Sequence, residues 1–169
     1  PVVPHAHNEL VQVGTDAGVP GMILFVLWHV LLGVMLWRAW QRGDWFDATS
    51  LSWIDPSPNM RSLNAALLYP GVGMLEAAKN YSVGRGTDAP FEQIGAAFID
   101  GPKLASYLNG RRVPGVRFYA TRFTPNASNL KGQQIGGVRF VITDRESFGS
   151  TRLGLEIAAA IHKLFPGKL

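Results

Sequence analysis

Cysteine is missing from all 169 residues, which excludes a disulfide framework, a thiolate metal site and a cysteine nucleophile. Charge is sparse: Asp, Glu, Lys and Arg make up 17% of the chain against 47% hydrophobic residues. That balance excludes a solvated disordered chain and fits folded protein with a membrane-like portion. Internal repeats and low-complexity tracts are absent as well. So is a dense basic stripe. Arg111, Arg112, Arg117, Arg122, Arg139 and Arg152 are scattered, so the net charge of +4 reads as a solvated basic surface or one drawn to an acidic polymer. It does not read as a nucleic-acid groove. The charge is also divided, −2 over residues 1–47 and +6 over residues 48–169.

The first feature present is "GMILFVLWHVLLGVMLW", residues 21–37, with His29 its one strongly polar side chain. Continued to Trp40 it gives about 20 residues, ~30 Å of helix at ~1.5 Å per residue, enough to cross a bilayer core. Trp37, Trp40 and Trp45 stand where an interfacial aromatic belt forms, and Arg38 and Arg42 would mark the cytoplasmic side. A signal peptide is not expected, since the start is not basic and no small-residue cleavage site follows. A soluble helix apolar all round must be buried on every side, and a domain of this size has little room for that.

Beyond Trp40 the pattern changes to short apolar pieces broken by Pro56, Pro58 and Pro70. "SPNMRSLNAALLYP" predicts a helix capped by Ser62 and closed by Pro70. "GVGMLEAAKN" predicts a brief strand ending near Glu76, and "EQIGAAFI" a second extended piece. Asp100 caps a helix through "GPKLASYLNG", with Pro102 in its first turn and Gly110 at its end. "VRFYATRF" (116–123) and "GVRFVIT" (137–143) alternate as strands do, with Val116, Phe118 and Ala120 on one face and Val138, Phe140 and Ile142 likewise. In the last helix, starting at Ser147 or Ser150 and ending at Pro166, Leu153, Ile157, Ile161 and Leu164 form a stripe that needs a sheet to cover. Helices and short strands without repeated βαβ units make the class α+β.

Between the first two extended pieces lies "NYSVGRGTDAPFEQIG", residues 80–95. It is neither a Walker loop, because no Lys follows the second glycine, nor a dinucleotide fingerprint, because Gly84 and Gly86 are followed by Asp88, Ala89 and Pro90. The two glycines permit positive φ or close backbone approach to a ligand. Arg85 between them offers a planar fork for a carboxylate or sugar oxygens, and Thr87 and Asp88 can close the turn. On composition alone the stretch is either a structural turn or a ligand loop.

Longer motifs narrow that choice. "WIDPSPNM", "LLYPGVGMLE", "NYSVGRGTDAPFEQIGA", "PGVRF", "RFTPNASNLKGQQIGGVRFVITDRESF" and "RLGLEIAAAIHKLFPGK" follow one another from about Trp40 to the end. Together they resemble the C-terminal half of the exo-β-N-acetylmuramidases, a family formerly of unknown function. Before them, "HAHNELVQVGTDAGVPG" running into the apolar helix resembles the C-terminal part of the O-antigen ligase and polymerase family, where His7 matches a histidine implicated in glycosyl transfer. His5 and His7 share a face of an extended segment but have no third metal ligand nearby. The expected division is therefore residues 1–39, a ligase-like fragment with a membrane-spanning helix near 21–40, and residues 40–169, a muramidase-like lobe. The family's other lobe is missing from the chain, and the join near residue 40 is either a true fusion or an artefact of the gene model.

The resemblance implies removal of β-linked N-acetylmuramic acid from non-reducing ends of peptidoglycan fragments, by a two-lobed enzyme of the bacterial envelope. This lobe, attached to the membrane, is expected to be inactive alone. The open alternatives are a non-catalytic, membrane-anchored saccharide-binding module and a ligase fragment. Glycoside hydrolysis calls for two carboxyl groups, one held protonated by its surroundings. Glu76, at the end of an apolar stretch facing the loop, is the catalytic candidate. Asn80, Ser82, Arg85, Thr87, Glu92 and Asp144 are the substrate-binding candidates, with Arg85 favoured for the lactyl carboxylate of muramic acid. Tyr69 and Phe91 are either sugar-stacking or core residues, and His162 is expected to be structural. No metal or organic cofactor is implied.

Overall fold

A computed structural model describes residues 9–43 and 45–168, the side chains of 9–17 and 42 excepted. His5 and His7 lie outside the described residues. The chain divides into two compact units, Pro1–Leu51 and Ser52–Leu169.

The first unit contains α1 (Glu9–Arg42) and a short 3-10 turn, Phe46–Thr49. α1 is broken at Gly18, whose φ of 67° and ψ of −172° are not helical. Pro20 follows just inside the second segment, where its missing N–H would have had no partner in any case. Gly18–Gln41 is long and apolar enough to cross a membrane, and none of its most apolar stretch is buried. Leu24, Leu31 and Met35 are among its exposed side chains. His29 is satisfied within the helix by a 2.8 Å hydrogen bond between Nδ1 and the Phe25 carbonyl. Trp37 and Trp40 pack ring on ring, 5.0 Å between centroids.

The second unit is α+β. Its elements are α2 (Leu63–Val72), a 3-10 turn (Gly73–Ala77), β1 (Gln93–Ala96), α3 (Gly101–Gly110), β2 (Val116–Phe123), β3 (Ile135–Ile142) and α4 (Ser150–Leu164). The strands form an antiparallel sheet in the order β1-β3-β2. Register pairs Ile94 with Val138 and Phe118 with Phe140, which puts the apolar members of all three strands on one face. α3 covers that face with Leu104 and Leu108, while the expected stripe of α4, Leu153, Ile157 and Ile161, is covered by helices α2 and α3 rather than by the sheet; all five side chains are inaccessible to solvent. Ala120 shares the parity of Val116 and Phe118 but is exposed, because the face there opens into a cavity.

Two predicted features are corrected. The stretch expected as a strand ending near Glu76 is the 3-10 turn Gly73–Ala77, and α2 runs past Pro70 to Val72. Contact with α4 supports the longer helix. Proline removes one helical N–H, and the next amide, Gly71 N–H, donates instead to Ser150 Oγ at 2.8 Å, while that hydroxyl donates to the Leu68 carbonyl at 3.0 Å. The Gly71 N–H and the Leu68 carbonyl thus both have partners in the last turn of α2. Bare backbones allow the approach, since a Cβ on Gly71 would stand 1.9 Å from the Ser150 carbonyl oxygen and one on Gly154 2.4 Å from that of Gly71. The caps follow the sequence: Ser62 accepts from Ala65 N–H and Asp100 from Lys103 N–H.

Candidate functional site

The glycine-rich loop begins where Ser82 pairs with Gly95 through both backbone hydrogen bonds, 2.9 and 3.0 Å. Gly84 and Gly86 have φ of 83° and 74°, values that side-chain-bearing residues adopt only at a cost. Space forbids a side chain too: a Cβ on Gly86 would lie 2.4 Å from Ala127 N. Thr87 then ties the turn together. Its hydroxyl donates to the Gly84 carbonyl at 2.6 Å and accepts from Ala89 N–H and Gln93 Nε2. Phe91 N–H closes the loop on the Val83 carbonyl.

These bonds decide what the loop can offer. Gly84 N–H is taken by Ser82 Oγ, Gly86 N–H by Asn59 Oδ1 and Thr87 N–H by the Gly84 carbonyl. The amides of Gly84, Gly86 and Thr87 are therefore occupied by the protein itself, and the Arg85 guanidinium is the loop's cationic group with an edge left for a ligand.

Arg85 is held on two sides. Its Nε and Nη2 donate to Oε1 and Oε2 of Glu76, the second bond at 2.9 Å, the bidentate fork that suits a guanidinium and a carboxylate. Phe91, buried in the core, places its ring 4.9 Å beneath the guanidinium carbon, within reach of a cation–π contact. Tyr69, half exposed, meets the same ring edge-on. The Glu76 hydrogen bond raises the Arg85 pKa above its ordinary value, against a smaller lowering by burial. Each partner of the pair keeps just over a quarter of its side chain exposed, and Nη1 has no partner among the described residues.

The other candidates are spread more widely. Ser82 is buried, so its hydroxyl shapes the loop from inside. Glu92 accepts from Ser62 Oγ at 2.5 Å and from Arg139 Nη2 at 3.4 Å. Asn80 Nδ2 donates to the Lys168 carbonyl. Asp144 is exposed and accepts from Ser147 Oγ and Glu146 N–H, bonds that lower its pKa below the usual carboxylate value. His162 is exposed. The fold thus brings together Glu76, Arg85, Phe91 and Tyr69, with Ser82 and Thr87 behind them, and leaves Asn80 and Asp144 in other hydrogen-bond groups. Sequence reasoning missed Asn59, which braces the loop from 27 residues away, and the Ser62–Glu92–Arg139 chain. No local pattern announces either, since both depend on long-range packing. Among the described residues no group of three or more His, Asp or Glu side chains suits a metal ion.

Comparison with known proteins agrees with this layout. Residues 67–169 match the family described as the C-terminal domain of exo-β-N-acetylmuramidase NamZ. Over 135 residues, 80% of this chain, the sequence is 42% identical to the peptidoglycan β-N-acetylmuramidase NamZ of Bacillus subtilis strain 168, of which it covers 32%. A solved structure of a DUF1343 family protein from Bacteroides fragilis superposes with a TM-score of 0.69 at 28% identity, over 73% of this chain and 32% of that one. The chain therefore spans about a third of the length of these relatives. With the α+β unit, the glycine loop and the matched residues all in agreement, this chain belongs to the NamZ C-terminal domain family.

Proposed function

We propose that residues 40–169 are one lobe of a hydrolase that releases β-linked N-acetylmuramic acid from peptidoglycan fragments, that the lobe supplies a binding wall for the muramic sugar, and that it is inactive alone. Residues 1–39 attach it to the membrane of the bacterial envelope through the apolar helix. The ligase-like histidine, His7, carries no step in this reading. Identity to a muramidase supports the substrate class, and the chain spans about a third of that enzyme's length.

The observation that carries the proposal is the Arg85 guanidinium, seated on Phe91 and gripped at one edge by Glu76, with Nη1 unpartnered. Muramic acid differs from glucosamine by a lactyl carboxylate, and a guanidinium is the side chain best shaped to take it. Tyr69 stands beside it as an exposed aromatic surface for the sugar ring. Both Glu76 oxygens are acceptors in the free lobe. A general acid must carry a proton, so Glu76 can serve as one only after the substrate carboxylate draws Arg85 away. The second carboxyl group that glycoside hydrolysis requires comes, in this reading, from the part of the relatives that this chain does not span.

The test uses the full chain in detergent. A chromogenic β-N-acetylmuraminide should release no chromophore, while N-acetylmuramic acid should bind saturably and N-acetylglucosamine more weakly. Arg85→Lys, which keeps charge but loses the fork, should weaken muramic acid binding by roughly tenfold. Glu76→Gln should strengthen it, because it removes the competitor for the guanidinium. Equal affinity for the two sugars, or no response to either substitution, would overturn the assignment.

A further inference from the structure

A cavity of about 870 Å³ opens at the N-terminal end of α3, away from the glycine loop and the Glu76–Arg85 pair. Its walls come from residues 97–102, from the outer part of β2 and from the start of β3. Glycines bring these parts together. Gly136 packs so closely on the β1–α3 connection that a Cβ there would be 2.7 Å from the Ile99 carbonyl oxygen, and one on Gly101 would be 2.6 Å from that of Gly137. Where β2 and β3 run past the covered part of the sheet, Ala120 and Gly136 leave a floor without bulky side chains.

Opposite charges stand on the two sides of this floor. Arg122 lies in register with Gly136, is exposed, and has no ion pair or hydrogen bond from its side chain among the described residues. On the other side is Asp100. Its Oδ1 caps α3 by accepting Lys103 N–H at 3.0 Å, and Oδ2 has no described partner. Thr121 and Gln134 add a hydroxyl and a primary amide, also without described side-chain partners. A lone anion placed here would face Asp100 and a lone cation would face Arg122. A neutral sugar would leave both charges unanswered. A ligand with a carboxylate at one end and an ammonium at the other answers both, and the volume lies within the range of about 300–1,000 Å³ usual for small-molecule sites.

We infer that this cavity is a second ligand site, which takes a short peptide bearing a free carboxylate and a free ammonium, with Arg122 on the carboxylate and Asp100 on the ammonium. The source follows from the proposed function, on which this part rests: peptidoglycan strands carry short peptides that end in a carboxylate and contain a diamino acid. The cavity would then hold the peptide part of a strand while the Arg85 face holds a muramic sugar freed of its peptide.

The probe is the tripeptide N-acetyl-L-Ala–γ-D-Glu–L-Lys, whose lysine side chain is its one ammonium, titrated into the full chain in detergent and followed by calorimetry. Saturable binding is expected, weakened tenfold or more by Arg122→Gln and, on the unmodified protein, by amidation of the peptide's terminal carboxylate. Acetylation of the lysine side chain should weaken it as well, as should Asp100→Asn, which retains a capping side chain. N-acetylmuramic acid binding should be unchanged in Arg122→Gln, so the sugar reading and the peptide site fail separately. Absence of saturable binding, or equal affinity for the free and amidated peptides, would overturn the inference. Should Arg122→Gln disturb folding, the modified peptides decide the matter on the unaltered protein.

Discussion

Two helices of this protein use aliphatic side chains in opposite ways. In α4, Leu153, Ile157 and Ile161 are fully buried while Leu155 on the far side is exposed. In α1 beyond Gly18, Leu24, Leu27, Leu31 and Leu36 are all more than half exposed. The α4 stripe recurs every three to four residues, so packing on one side, here against α2 and α3, suffices. The α1 run is apolar on every side, so no single partner surface can cover it. Hydrophobicity alone therefore does not build a core. A core needs apolar side chains confined to one face, and a helix apolar all round calls for a surrounding medium of its own, which a bilayer supplies.

The largest test of this contrast applies the same truncation to both helices. Leu153→Ala should cost ~2–5 kcal/mol, because it opens a cavity among side chains that cannot close over it. Leu31→Ala should change the stability of the second unit by less than about 0.5 kcal/mol. Urea unfolding followed through amide hydrogen exchange in β3 measures both, and comparable losses would break the distinction. A smaller test uses glycine. Gly154→Ala should destabilise by ~1–3 kcal/mol, since the new methyl would press on the Gly71 carbonyl. Gly33 has nothing within 4 Å of an added Cβ, so Gly33→Ala should instead favour its helix by roughly 0.5–1 kcal/mol. Changes of the same sign at the two positions would show that crowding is not what separates the helices.

The smallest effect concerns pH. Arg111 donates to both oxygens of Glu156, at 2.9 and 3.3 Å, which holds the Glu156 pKa below its ordinary value of 4.5. A depressed folded-state pKa contributes stability that is present in full above the unfolded value and is lost as pH falls through the folded one. Acid should therefore weaken the second unit below about pH 4.5, and Arg111→Gln should flatten that slope in a pH series of urea midpoints. An unchanged slope would assign the acid sensitivity to other carboxylates. Because Arg111 is half exposed, the gain is modest and screened by salt.

Much of this fold is legible in the sequence. The caps at Ser62 and Asp100, the alternation of β2 and β3 and the stripe of α4 are local signals, set by intervals of two to four residues along one element. The continuation of α2 past Pro70 is not legible locally: it is supported by Ser150, 79 residues from Gly71, and nothing nearby in the chain carries that information. The same limit applies to the site. Two glycines around an arginine are visible in the sequence, yet only packing reveals that the protein itself bonds the amides of Gly84, Gly86 and Thr87 while Arg85 retains a free edge.

The sequence by itself determined the α+β class, the apolar span and the family, because periodicity, length and motif order are properties of a linear pattern. Tertiary structure alone decided that Glu76 grips Arg85, that Glu92 is shared between Ser62 and Arg139, and that Arg122 and Asp100 line one cavity. The reason is physical: a partner within hydrogen-bond reach is chosen by which surfaces the hydrophobic core presses together, and that choice spans tens of residues at once.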